Sequence, residues 1–344
     1  MSNTFKALVA KVASEEFQIS LQDRVLEDLP EGNTIIETKY SSLNYKDGMA
    51  IDGNKGKILR SLPMSPGIDA AGIIKSSTDK SYSPGDEVII TGWGFGETHS
   101  GGYSQVIRVN SDWLVKKPKT LSLKHSMTIG TAGLTAMLCI MELENAGISP
   151  EKGEVLVTGA SGGVGNISVM LLNKLGYSVT AVTGRTELES YLKDIGATNI
   201  ISRNEILEMR RPLNSGKWAG AIDSTGGEIL SNLISAIDFE GPVACCGNAA
   251  GIKLSTTVIP LIIRGIKLLG VNSVQCPTEK RVIAWQRLSD LISSNEFEEI
   301  TQEITLNDIY AAANDILGGQ IKGRTIINIS ASENDSYEEI FKGY

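Results

Sequence analysis

The stretch that most restricts the fold is Val155-Leu156-Val157-Thr158-Gly159-Ala160-Ser161-Gly162-Gly163-Val164-Gly165. Its first four residues have the composition of a buried parallel strand. A glycine-rich turn follows without a gap. Val164, Ile167, Val169, Met170, Leu171, Leu172 and Leu175 then lay an apolar face at helical spacing, and Gly176 is placed to end the helix. Strand, glycine turn and helix together make a pyrophosphate site. Glycines let the backbone approach the anion, and the first N–H groups and dipole of the helix face it. The usual fingerprint is G-x-G-x-x-G. Here the aligned run is Ala160-x-Gly162-x-x-Gly165, with alanine in the first place. Ser178–Thr183 supplies a second β-branched strand where a βαβ unit needs it, so the stretch reads as a dinucleotide site.

The end of that second strand selects the cofactor. An NAD site usually has Asp or Glu there for the ribose 2′-OH. This chain has Thr183-Gly184-Arg185. A guanidinium suits a 2′-phosphate, and a hydrogen bond to a charged group contributes roughly 1.5–3 kcal/mol. The expectation is NADPH over NADH, with a solvated surface arginine as the plainer alternative.

Around this unit the chain divides. Residues 1–125 are β-rich: 7–10, 34–38, 84–90 and 101–109 have strand composition with turn residues between them, which suggests a barrel-like or sandwich domain. From 127 a helix to 144 opens a run of alternating strands and helices. The strands at 155–159, 178–183, 199–201, 219–223, 243–246 and 267–271 make a doubly wound parallel sheet. An amphipathic helix at 279–294, a helix near 307–316 and a strand at 325–329 follow, and the last elements are expected to return to the first domain. The tail from Ser330 reads as a loose extension or short surface helix.

A chain of 344 residues fits two domains. Its net charge of −8 argues against a general nucleic-acid binder. No signal-peptide pattern is visible, and no apolar run reads as long enough to span a bilayer, so the expected location is the cytoplasm. The four cysteines, at 139, 245, 246 and 276, have no CxxC spacing, and His99 and His125 are the only histidines. Buried reduced thiols and no metal site are expected.

Several motifs together resemble the zinc-free, quinone-oxidoreductase-like branch of the medium-chain dehydrogenase/reductases: Pro84-Gly85-Asp86-x-Val88, Gly130-Thr131-Ala132-Gly133 and the Ala160–Gly165 turn. Zinc-dependent members have a Gly-His-Glu segment where this chain has Gly67-Ile68-Asp69, and they carry a four-cysteine lobe that is absent here. Longer runs are similar to the bacterial NADPH-dependent acrylyl-CoA reductases: Ser41–Asp47, Pro66–Asp69, Thr91–Gly94, Gly130–Cys139 and Trp218–Asp223.

The resemblance implies a Rossmann NADPH-binding domain over 126–294 and a GroES-like β-barrel catalytic domain over 1–125 and 295–344, in a homodimer. It implies a small-molecule partner: acrylyl-CoA, reduced at its activated C=C bond without a metal. Quinone or enone reduction is the alternative within the family, and a non-catalytic NADPH-binding protein the alternative outside it. Ser161, Gly162, Gly163 and Val164 would contact the pyrophosphate, and Thr183, Gly184, Arg185 and Arg203 the 2′-phosphate end. Asn248, Ile262 and Ser273 would line the nicotinamide side, with Tyr45 beside it, and Arg324 would also contact the cofactor.

Charge developing on the thioester oxygen needs hydrogen-bond donors, and the α-carbon needs a proton. Asn44 offers an amide N–H₂ and Tyr45 a phenol. Tyr45 could instead pack on the nicotinamide, with water as the acid, or both residues could only buttress a turn. Lys46 and Asp47 read as a surface pair without a role. The loop from Gly92 to His99 reads either as a substrate cover or as a structural crossover with Trp93 in the core. His125 reads as a surface or cap residue.

Overall fold

The computed structural model describes residues 4–330, so the reading of the tail beyond Ser330 lies outside the described residues. In chain order the strands are β1 (Phe5–Ala13), β2 (Glu16–Arg24), β3 (Thr34–Leu43), β4 (Asp69–Ser77), β5 (Glu87–Thr91), β6 (Val106–Val109), β7 (Leu114–Lys116), β8 (Val155–Val157), β9 (Val179–Thr183), β10 (Asn199–Ser202), β11 (Gly220–Asp223), β12 (Pro242–Cys245), β13 (Lys267–Gly270), β14 (Thr301–Thr305) and β15 (Arg324–Asn328). The helices are α1 (Tyr45–Ile51), α2 (Leu123–Asn145), α3 (Gly163–Lys174), α4 (Glu189–Asp194), α5 (Arg203–Leu207), α6 (Gly227–Leu233), α7 (Ile259–Arg264), α8 (Thr278–Leu291), α9 (Ser294–Glu299) and α10 (Ile309–Leu317).

The described residues form two units, residues 4–131 with 274–330, and residues 132–273. Sequence reasoning put the changes at 125/126 and 294/295. The later second boundary arose because α8 has the amphipathic pattern of a Rossmann helix. In the structure α8 belongs to the first unit. Its Arg281, 1% exposed, donates to Thr91 O and Oγ1 at 2.8 Å. Its guanidinium lies 5.1 Å from the centre of the Trp93 ring.

The first unit is built on a mixed sheet ordered β14-β15-β3-β4-β5-β7, with β6 also pairing β3 and a β1-β2 hairpin beside it. β3 is ten residues long and serves both neighbours: Tyr40–Leu43 pair with β15, and Thr34–Tyr40 with β4. One apolar core packs Leu8, Leu43 and Tyr103 against Ile309 and Ile327, which fixes the C-terminal elements onto the N-terminal ones.

The second unit is a six-stranded parallel sheet ordered β10-β9-β8-β11-β12-β13. The order reverses beside β8, the strand that leads into the glycine turn, which is where doubly wound sheets place their ligand. β8 is completely buried because helices cover both faces.

Two expectations are corrected. α2 has a window of mean hydropathy 1.4, long and apolar enough by composition to cross a membrane; 83% of that window is buried. The expectation that no apolar run was long enough is therefore wrong, because this one is packed core. The helix is also interrupted at Gly130, at φ 48°, ψ −156°. Second, Cys139 and Cys276 are buried as expected, but Cys245 and Cys246 are only half-buried, since β12 ends at Cys245 and the chain leaves the sheet there.

Candidate active site

In the second unit the glycine turn is set one residue earlier than the fingerprint suggests. Gly159, at φ 59°, makes the tight turn, and Ala160 follows with its methyl fully buried. This explains why alanine is tolerated in the first fingerprint place. Gly162 is the N-cap residue of α3, and no side chain caps the helix. Gly165 cannot be larger: a Cβ there would lie 2.3 Å from Gly159 O. The first N–H groups of a twelve-residue helix are thus left facing a cradle that side chains do not fill.

At the tip of β9, Arg185 Nη2 donates to Ser161 Oγ at 2.8 Å and to Ser161 O at 3.3 Å. Its own N–H is held by Thr183 Oγ1 at 3.0 Å. The Arg203 guanidinium lies against Gly184: a Cβ there would sit 3.1 Å from its central carbon. One guanidinium thus rests on Ser161 of the glycine turn and a second lies against Gly184 at the tip of β9. These residues fit an NADP-type dinucleotide: the uncapped N-terminus of α3 suits a pyrophosphate, and guanidiniums suit a further phosphate. Ser224 also belongs to this rim, because a Cβ on Gly159 would meet its Oγ at 2.7 Å. Its loop is fixed by buried Asp223, which accepts from Thr158 Oγ1 (2.6 Å), Thr225 Oγ1 (2.8 Å) and Gly226 N (2.7 Å).

The remaining expected cofactor residues of this unit lie elsewhere in it. Asn248 is exposed just beyond β12. Ser273 accepts from Thr135 Oγ1 at 2.9 Å. Ile262 is 73% exposed on α7, on an apolar face with Val258, Ile259 and Ile263.

In the first unit, Asn44 is the N-cap residue of α1 and Tyr45 its first residue. Asn44 Nδ2 donates to Asp69 Oδ2 at 2.8 Å and to Asp47 Oδ2 at 3.2 Å. Both amide protons are taken, so Asn44 has no N–H₂ left to offer a substrate oxygen. The expectation that it donates there is corrected for that reason. Tyr45 differs: it is 46% exposed, and its hydroxyl has no hydrogen-bond partner among the described residues.

Asp47 is not a surface residue. It is 1% exposed and accepts from Asn44 N (2.9 Å) and Ile68 N (3.0 Å). Lys46 pairs instead with Glu97, at 2.5 Å. Asp69, fully buried, accepts from Ser42 Oγ (2.5 Å), Thr131 N (2.9 Å) and Thr131 Oγ1 (2.6 Å) as well as from Asn44. The break at Gly130 gives this cluster room, since a Cβ there would meet Asp69 Oδ2 at 2.5 Å. Arg324, expected on the cofactor, is 2% exposed and donates to Thr128 O at 2.8 Å. Its charge faces the two carboxylates. Burial, then the neighbouring Asp69 charge, pushes the Asp47 carboxyl up to about 7. Sequence reasoning does not reveal the cluster, because Asp47 beside Lys46 reads as a surface pair and Asn44 as a donor to substrate. The unusual density of Ser42, Asn44, Asp47 and Asp69 around apolar strand residues was the available signal.

The loop after β5 is a structural crossover. Gly92, Trp93 and Gly94 all have positive φ, Trp93 at 60°. The indole is half-buried under Arg281, and Trp93 N donates to Val274 O at 2.9 Å. His99 packs edge-on against Trp113. His125 is not a surface residue as expected: its side chain is 12% exposed, stacked on Phe297 and in contact with Glu298.

Residues 30–119 match the alcohol dehydrogenase GroES-like domain family, and residues 163–293 the zinc-binding dehydrogenase family. The chain is 48% identical, over 88% of its length and 93% of the relative's, to the probable acrylyl-CoA reductase of Escherichia coli K12. It is 44% identical to the acrylyl-CoA reductase of Ruegeria pomeroyi, over 95% of this chain and 100% of the other.

The chain belongs to the medium-chain dehydrogenase/reductases, in their quinone-oxidoreductase-like branch.

The fold agrees: a Salmonella enterica oxidoreductase solved in complex with NADP superposes with a TM-score of 0.91, at 46% identity, covering 94% of this chain and 99% of that one. Within this dehydrogenase/reductase, despite the name of the matched family, no three His, Cys, Asp or Glu side chains among the described residues are grouped to hold a metal ion.

Proposed function

We propose that this protein reduces the C=C bond of acrylyl-CoA: acrylyl-CoA, NADPH and a proton give propionyl-CoA and NADP⁺. The observation that carries the reading is a pair of guanidiniums, Arg185 on Ser161 and Arg203 on Gly184, near the uncapped α3, in a chain matching the full length of an acrylyl-CoA reductase. Ser161, Gly162, Gly163 and Val164 hold the pyrophosphate. Thr183, Gly184, Arg185 and Arg203 hold the 2′-phosphate end, and Asn248 and Ser273 the nicotinamide side.

When bound, NADPH supplies the hydride for the β-carbon. The chain's own contribution is to orient the substrate and to place a proton. Tyr45 has a free phenol at the α1 N-terminus, and we assign it a hydrogen bond to the thioester oxygen while the enolate forms, then transfer of that same proton to the α-carbon, with solvent reprotonating the phenolate. Asn44 acts on Tyr45 as a positioning residue, held by Asp47 and Asp69. Arg324 is the counter-charge of that pair.

Ile262 belongs to a dimer face in this reading. β13 is the outer strand of its sheet, and α7 beside it exposes Ile259, Ile262 and Ile263. Pairing β13 with its twin would satisfy the open edge and cover the isoleucines. Both substrates carry several phosphates and stay where they are made, so we assign the protein to the cytoplasm.

Side-by-side turnover of acrylyl-CoA, crotonyl-CoA and a benzoquinone tests the reading. Acrylyl-CoA should have the highest kcat/KM, and a benzoquinone exceeding it would replace the substrate class.

A further inference from the structure

We infer that the loop joining α1 to β4, at residues 53–60, is the docking site for the 3′-phospho-ADP half of the CoA thioester; the inference rests on the proposed substrate. The protein as a whole is acidic, with a net charge of −8. This loop is the reverse. Lys55, Lys57 and Arg60 are all exposed, and the acids alongside are already paired, Asp52 with Lys55 and Glu97 with Lys46, each at 2.5 Å. The side chains of Lys57 and Arg60 have no hydrogen-bond or ion-pair partner among the described residues. Two cations are thus left uncompensated in one short segment.

The loop presents them on a fixed backbone. Asn54 Nδ2 donates to Leu59 O at 2.9 Å, and Asn54 Oδ1 accepts from Leu59 N at 2.8 Å. Leu59 is buried with Ala50 and Met64. Gly53, Asn54, Gly56 and Lys57 all lie at φ between 52° and 70°. Two of these are not glycine, and such conformations persist in side-chain-bearing residues only where the surroundings impose them.

The loop also sits on the correct side of the helix. A Cβ on Gly56 would come within 2.8 Å of Met49 Cε, so the loop packs directly on Met49. Met49 follows Tyr45 by four residues and shares its face of α1, one turn of about 5.4 Å away. At the far end, Arg60 N donates to Glu97 O at 2.8 Å, and the Glu97 carboxylate holds Lys46. The cations therefore lie on the segment that packs against the Tyr45-bearing helix, and a pantetheine arm would separate the thioester from the phosphates they hold. Guanidinium and ammonium groups are the side chains that suit phosphate monoesters and diphosphates.

The test compares the wild-type chain with the Lys57→Glu/Arg60→Glu double variant and the milder Lys57→Gln/Arg60→Gln. The substrates are acrylyl-CoA and acrylyl-pantetheine, which lacks the nucleotide. The ratio of the two kcat/KM values should fall about tenfold in either variant, the factor expected for losing a charge-assisted phosphate contact. The rise of the acrylyl-CoA KM with added salt should flatten. An unchanged ratio, or an equal loss with both substrates, overturns the inference. Adenosine 3′,5′-bisphosphate binding, followed by calorimetry, gives a readout without turnover: the variants should bind it at least tenfold more weakly. A wild-type protein that does not reduce acrylyl-CoA defeats the substrate assignment instead. The bisphosphate titration then decides the loop alone, and equal binding by all three proteins, or none, counts against it.

Discussion

Asn44 and Asp69 are joined by a 2.8 Å hydrogen bond from the Asn44 amide to Asp69 Oδ2, and the same amide reaches Asp47 at 3.2 Å. One side chain thus bridges two buried carboxyl groups, at the start of the helix that carries Tyr45. The arrangement turns Asn44 inward and leaves the phenol as the outward-facing donor.

The first prediction concerns pH. The Asp47 carboxyl is raised from an ordinary value of 3.8 to about 7, by burial first and by Asp69 second. The folded state therefore binds this proton more tightly than the unfolded chain. Its contribution to stability is complete below about pH 4 and is lost as pH rises through about 7. Between pH 5 and pH 8, a window set by that shift, the melting temperature of Asp47→Asn should fall less than that of the wild type. Parallel pH profiles for the two proteins would contradict this.

The second concerns Asp69. Ser42, Asn44 and Thr131 all donate to it, and it is fully buried. Asp69→Asn turns one acceptor oxygen into a donor against existing donors, a loss of about 2–4 kcal/mol in a denaturant titration. A change within 0.5 kcal/mol would be that of an ordinary surface position.

The third concerns the cofactor. Arg185→Ala and Arg203→Ala should each raise the Kd for NADPH about ten- to a hundredfold and leave that for NADH within a factor of about two. Fluorescence titration with both nucleotides reads this. A matching loss for NADH would move the arginines away from the 2′-phosphate.

The fourth concerns Gly165. Alanine there places a Cβ 2.3 Å from Gly159 O, so β8 and α3 must separate. Gly165→Ala should lose NADPH binding in the same titration and destabilise the unit by about 1–3 kcal/mol. Retained binding would mean that the turn does not hold the pyrophosphate.

The parallel sheet was legible because its strands are short β-branched runs, with helices of clear period between them. Val155–Val157 and Val179–Thr183 fell where composition placed them. α1 was not legible: it has seven residues, with Gly48 in the middle, and no apolar period. β2 alternates between exposed and half-buried positions, so it lacks a buried face to announce it. At the candidate site, Arg185 is named from the chemistry of its place after β9, whereas Arg203 and the nicotinamide-side place of Tyr45 come from the family resemblance. The burial of Asp47 and Arg324 is legible from neither, because a charged residue reads as surface until the elements that enclose it are known. Arg324 is enclosed by Leu43 and Thr128, far from it in the chain.

The assignment of the phenol has its own consequence. Tyr45→Phe should lower kcat about a hundredfold, the lower range for a lost general acid. NADPH affinity should hold within a factor of about two, since the change removes one hydroxyl. Full turnover by the variant would transfer the proton to water.

Isotope transfer follows the hydride itself. NADPH carrying deuterium at the transferable C4 position is incubated with the protein and acrylyl-CoA, and the thioester is analysed by mass spectrometry and NMR. Propionyl-CoA should carry deuterium on the β-carbon and a solvent-derived hydrogen on the α-carbon. Unchanged acrylyl-CoA, or propionyl-CoA without the label, would contradict the proposed hydride transfer.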